Sequence, residues 1–125
     1  MTDFAQASAR LIEAYNAKAF DDLGALIAPD IDFAHFNRDF VLTDRAALLD
    51  VLRGFAATYV PDRHFEAPER VTVCGNIVVR EAWYVGTAAV DLPGFGAAGE
   101  GFRLKFCSVM RFDDAGVLVE WKDHG

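Results

Sequence analysis

Cysteine, basic charge and long apolar runs are all scarce in this chain. Its only cysteines, Cys74 and Cys107, lie far apart with no C-x-x-C or Cys/His spacing, which fits reduced thiols in a cytosol and suggests no zinc site. Lys and Arg number 12 against 19 Asp and Glu, a formal net charge of −7. That balance argues against nucleic acid, whose phosphate backbone is bound through clustered cations that release counterions. No stretch approaches the length needed to cross a bilayer, and Met1–Gln6 lacks a basic segment leading into an apolar run. The chain therefore reads as cytoplasmic and free of membrane. No internal repeat or low-complexity tract is visible.

What the chain has in excess is apolar surface. Hydrophobic residues make up 53% of its 125 positions, and eleven are Phe. A chain of this length reads as one domain spanning 1–125, able to bury a core without disulfide or metal staples. So much apolar surface at this size points to a cavity wall or an oligomer interface beyond an ordinary core.

The hydrophobic period changes once along the chain. Phe4, Leu11, Tyr15 and their neighbours recur at three- and four-residue spacing, which predicts a helix over Phe4–Lys18. A second helix is predicted over Asp22–Ala28, capped by Asp21 or Asp22 and stopped by Pro29, followed by a strand over Ile31–Phe36. Thr43 reads as the N-cap of a third helix reaching Tyr59, with Leu48, Val51, Leu52, Phe55 and Tyr59 on one face. From Phe65 the period becomes two, predicting strands at 65–73, 77–87, 102–112 and 117–123 with turns at Gly75-Asn76 and Asp113–Gly116. The glycine-rich segment 91–101 matches no phosphate-cradling motif and reads as a hairpin loop. Three helices over a curved antiparallel sheet give an α+β cone whose open end would admit a small hydrophobic ligand.

Strand parity nominates the residues of such a cavity. In 102–112 the face carrying Phe106, Ser108 and Met110 should point inward, with Arg103, Lys105, Cys107, Val109 and Arg111 outside. His35 shares parity with Ile31 and Phe33 at a strand end, where an imidazole can act as general acid or base or simply hydrogen-bond a loop. Asp123 shares parity with Trp121, and partial desolvation there would raise its carboxyl pKa; the other reading is a solvated terminal Asp. Tyr15 is a phenolic donor or plain core. Phe33, Phe55, Tyr59, Phe106, Ser108, Met110 and Trp121 are read as ligand contacts. For 77–86 parity leaves two choices: Glu81 and Trp83 inside, or Arg80 and Tyr84, the Arg favouring an anionic or enolate-like ligand.

The stretch Tyr15–Leu23 through Ile27–Phe33, with Val109–Trp121, resembles the nuclear transport factor 2-like superfamily, and within it the SnoaL-like polyketide cyclase and ketosteroid isomerase branch. The resemblance implies a cone with a deep pocket, usually a dimer, and catalysis without a cofactor: a carboxylate moves a proton alpha to a carbonyl while donors stabilise the enolate. On the isomerase pattern His35 falls where the base aspartate stands, Ser108 where the protonated oxyanion acid stands, and Leu11, not Tyr15, at the oxyanion tyrosine. The steroid isomerase set is thus missing. Polyketide cyclase relatives use an aspartate late in the sheet, and Asp123 is the nearest match. No equivalent of the epoxide hydrolase Asp-Arg-Asp arrangement is found. The leading expectation is a cofactor-independent proton-transfer enzyme with no metal, acting on a small apolar carbonyl compound. His35 would be its base, Asp123 its acid or second base and Tyr15 a donor. The competing expectation is a non-catalytic ligand-binding or dimerisation module. In either case a homodimer through the sheet is the expected partner.

Overall fold

A computed structural model describes residues 2–125. Helix α1 (Phe4–Asn16) begins where the Asp3 carboxylate accepts from the Gln6 N–H, and buries Ala7, Ser8, Leu11, Ile12 and Tyr15. It ends two residues before the predicted boundary, at Lys18, whose φ of 56° is left-handed. Helix α2 (Phe20–Ala25) lies earlier than predicted: Ala19 caps it without a side-chain bond, and Asp21 and Asp22 occupy its first turn, where carboxylates favour the helix dipole.

Pro29 is not a helix stop. It sits inside β1 (Ile27–His35), at an irregularity between Ile27 and Asp32 in the pairing with the last strand. A residue without an N–H is tolerated in a sheet where the ladder is already interrupted. A short 3-10 turn (Phe36–Arg38) and β2 (Phe40–Leu42), a strand the period did not reveal, come next. Helix α3 (Arg45–Gly54) is capped by Asp44, not Thr43, through its bond from the Ala47 N–H at 2.9 Å. It runs into one wide turn, Phe55–Tyr59, closed by Val60 N–H donating to the Phe55 carbonyl five residues back. The additional residue rotates the end of the turn, so Phe55 stays inside while Tyr59 points out to solvent.

The strand predicted at 65–73 is two strands, β3 (His64–Phe65) and β4 (Arg70–Cys74), broken around Pro68. Both pair with β5 (Ile77–Thr87), and the β4–β5 hairpin turns on Gly75 at φ 59°. Strands β6 (Gly101–Phe112) and β7 (Leu118–His124) complete a seven-stranded sheet in the order β2-β1-β7-β6-β5-β3, with β4 also paired to β5. All pairings are antiparallel except β1 with β7, which run parallel. A register shift between Arg111 and Phe112 turns Leu118 inward, so β7 does not keep the strict alternation from Val117 that its sequence suggested.

The core lies between the inner sheet face and the helices, around Leu11, Leu23, Ile31, Leu48, Phe112 and Trp121. Gly86 marks a tight point. A Cβ there would press inside van der Waals contact of Val60 Cγ1 and reach 3.3 Å from Arg63 Cα, in a place where Val60 is fully buried and β-branched. Gly86→Ala should therefore lower stability by about 1–3 kcal/mol in urea unfolding, whereas an alanine at Gly54, which meets nothing within 4 Å, should not.

Candidate functional site

The sheet's curvature leaves a cavity of about 230 Å3 between its inner face and α3, smaller than the about 300–1,000 Å3 of sites that enclose drug-sized ligands. Its walls are mostly aromatic. Trp121 meets Phe33 edge-on at 5.4 Å and Tyr15 at 6.1 Å, and Tyr84 stacks on Phe106 at 4.9 Å. Phe40, Leu52, Phe55, Phe65 and Phe95 continue the lining.

Few polar groups reach this space, and each has a definable state. Tyr15 and Tyr84 share a hydroxyl–hydroxyl bond of 2.8 Å. One O–H is spent on the other, so the pair keeps one O–H hydrogen for a ligand. Burial pushes Tyr15 up to about 12 and Tyr84 well above its ordinary value, so both stay protonated donors. Asp123 is buried, and burial raises its carboxyl to about 6 although hydrogen bonds from Ser108 and Trp121 Nε1 (2.8 Å) pull the other way. At neutral pH it is mostly ionised and close to the solution pH, a useful condition for a base. His35 moves oppositely, to about 4, chiefly by burial and then by the charges of Arg38 and His124. Its ring is neutral at pH 7, packs edge-on against Phe106 at 5.0 Å, and has neither nitrogen bonded.

Tyr15, His35 and Asp123 thus come together in one cavity, with Phe33, Phe55, Phe106 and Trp121 around them. His35 and Asp123 are direct neighbours across the parallel β1–β7 pairing. Five other predicted contacts do not line it. Tyr59 is turned outward by the wide turn. Trp83 lies on the outer face, bonded to Glu69 and covered by the Arg103 guanidinium at 4.1 Å. Arg80 has the inward parity but donates to Ser8 Oγ under α1, away from the cavity. Met110 is sealed in the core beside Trp121, and Ser108 acts on Asp123 instead of facing the space. The open choice on β5 is settled by register: Val78, Ala82 and Tyr84 oppose Met110, Phe106 and Leu104 of β6 and share their inner side.

Arg38 was missed. It lies just past His35 in an irregular turn without period, yet its guanidinium lies over Phe95 at 4.3 Å and lines the cavity. Being the nearest basic residue after a strand-end histidine was the only available signal. Among the described residues, no three His, Cys, Asp or Glu side chains gather as a metal site, and no helix is long and apolar enough to cross a membrane.

A sheet cone roofed by helices, with an apolar cavity ringed by a few convergent polar groups, defines the nuclear transport factor 2-like class. Residues 9–121 match the SnoaL-like domain, and the chain belongs to that family. An NTF2-like protein of unknown function from Burkholderia pseudomallei is 21% identical, with a TM-score of 0.80 over 99% of this chain and 91% of that one. IdmH, "a putative polyketide cyclase" from Streptomyces antibioticus, is 23% identical with a TM-score of 0.80, covering 98% and 91%. An LEH-like epoxide hydrolase from M. tuberculosis is 18% identical with a TM-score of 0.76, covering 97% and 80%. At these identities the likeness is one of fold. No curated protein matches the sequence.

The raised carboxyl has a thermodynamic signature. Folded Asp123 keeps its proton up to about 6, whereas an unfolded Asp releases it near 3.8. Between those values the native state binds more protons, so stability falls as pH rises and the full deficit is present above about 6. Asp123→Asn removes the charge and keeps the shape. In urea unfolding it should be on the order of 2 kcal/mol more stable than wild type at pH 8, with the difference closing by pH 4.

Proposed function

We propose that the cavity performs proton transfer on a small, largely apolar carbonyl compound without a cofactor. The observation that carries this reading is the juxtaposition of an ionised, near-neutral carboxylate with a protonated phenol pair in one apolar chamber. Asp123 takes a proton from the carbon alpha to the carbonyl: the C–H bond breaks, the carboxyl O–H forms, and the electron pair moves to the carbonyl oxygen. The remaining O–H of the Tyr15–Tyr84 pair donates to that oxyanion. Returning the proton to another carbon gives an isomerase; attack of the enolate carbon on a second carbonyl gives a cyclase. Relatives in the fold whose names point to polyketide cyclisation and epoxide hydrolysis support a small-molecule chamber.

This assignment shifts the base from His35 to Asp123. An imidazole whose pKa is held near 4 is a weak proton acceptor at pH 7, and its neutral ring serves better as a hydrogen-bond partner. Aryl ketones incubated in D2O with the protein should exchange alpha protons, with kcat/KM rising with pH to a plateau above about 6. Asp123→Asn should slow exchange by about a hundredfold or more. An unchanged rate in a folded Asp123→Asn variant would sink the assignment.

The partner of this reading is a second copy across the outer sheet face. Arg70–Glu81, Arg103–Glu66, Lys105–Glu69 and Arg111–Glu120 neutralise one another there, so the face is locally balanced despite the overall charge of −7. Trp83, Cys107 and Val109 lie half-buried among them as apolar contact. The free thiols Cys74 and Cys107 suit a cytoplasmic setting. Light scattering should give twice the 13.7 kDa chain mass, and Trp83→Glu, which adds charge to this face, should give the chain mass.

A further inference from the structure

The unmet hydrogen-bonding capacity of the cavity's lining belongs, among the described residues, to two residues close in sequence. Among the described residues five buried side-chain nitrogens have no partner, and three belong to neighbouring cavity residues: both ring nitrogens of His35 and Nε of Arg38. Both side chains sit over the same ring, His35 edge-on to Phe106 at 5.0 Å and the Arg38 guanidinium 5.9 Å from its centroid. Leaving such groups buried and unbonded is costly, more so when they are charged.

Among the described residues, Arg38 also has no acidic side chain beside it. Six of the 12 Lys and Arg side chains meet an Asp or Glu within 4.0 Å; among the described residues Arg38 meets none, and of the unpaired ones it alone lines this cavity. Its Nη1 donates to the Gly125 backbone oxygen at 2.7 Å and Nη2 to the Gly94 carbonyl at 3.3 Å. These bonds hold the guanidinium in place without consuming all five of its N–H groups. A neutral imidazole offers one N–H in either tautomer, so the two cavity-lining residues together hold several unspent donors and a positive charge.

We infer that Arg38 and His35 form an anion subsite, and that the ligand is a compact apolar oxo acid whose carboxylate they hold. This rests on the proton-transfer reading, since the same ligand would carry the carbonyl on which Asp123 and the Tyr15–Tyr84 pair act. A carboxylate has two oxygens that can accept from Arg38 and from the single N–H of His35 together, and its charge meets that of the guanidinium, which a neutral amide cannot do. The small cavity confines the apolar body to one or two rings.

The test is calorimetric titration with matched pairs, 3-benzoylpropanoate against its primary amide and naphthoate against naphthamide. The acids should bind wild type about tenfold tighter than the amides at low salt, with the gap narrowing at high salt and vanishing in Arg38→Met. Amides binding as well as acids, or a folded Arg38→Met that keeps the preference, would overturn the subsite and leave the chamber standing. Binding of neither class overturns the subsite and the chamber together. A preserved acid preference with alpha-proton exchange unaffected by Asp123→Asn overturns only the chemistry. Because the acid–amide comparison and its salt dependence need no variant, the inference remains testable should Arg38→Met fail to fold.

Discussion

The ladder between β5 and β6 is the constraint on which the rest depends. Eleven consecutive residue pairs run from Ile77↔Arg111 to Thr87↔Gly101, and a slip of one residue would exchange every inward side chain for an outward one. Phe106, Ser108, Met110 and Phe112 hold the inner face of β6, and that choice passes sideways. It brings Tyr84 inward on β5 to meet Tyr15, and places Asp123 on β7 beside Ser108. The outward parity is equally constrained, since Trp83, Arg103 and Lys105 interlock with Glu66 and Glu69 and would be stranded by any slip.

Within that frame the polar groups are set apart by surroundings more than by type. Burial lifts the Asp123 carboxyl and depresses the His35 imidazole, so each ionises far from where the same group would in water. The phenols lie above both. The wall of aromatic rings that makes desolvation effective is also the source of the chamber's apolar character, so ligand fit and acid–base tuning come from the same residues.

Much of this was legible in the sequence where a period was unbroken. The α1 face and the inward set of β6 were readable from three-, four- or two-residue spacing, while parity nominated His35 and Asp123 without deciding between a site and a loop contact or a solvated terminus, and helical spacing left Tyr15 as donor or core. Prediction failed where local chemistry interrupted a period. Pro29 looks like a helix terminator until the interrupted pairing of β1 is known, and Tyr59 continues a helical stripe unless the wide turn after Gly54 is seen. Arg80 and Trp83 could not be sorted because both faces of β5 carry apolar and charged residues, and only pairing with β6 breaks the tie. Arg38 sits in a turn with no period to read.

The parallel pairing of β1 with β7 has a consequence for the order in which the protein can assemble. His35 and Asp123 become neighbours only when two strands far apart in the sequence meet. During synthesis β1 emerges long before its partner, so its side toward β7 stays open while the β4–β5–β6 meander can already pair locally. The chamber therefore closes only when β7 has paired with β1, which sets Asp123 beside His35 and Trp121 beside Phe33.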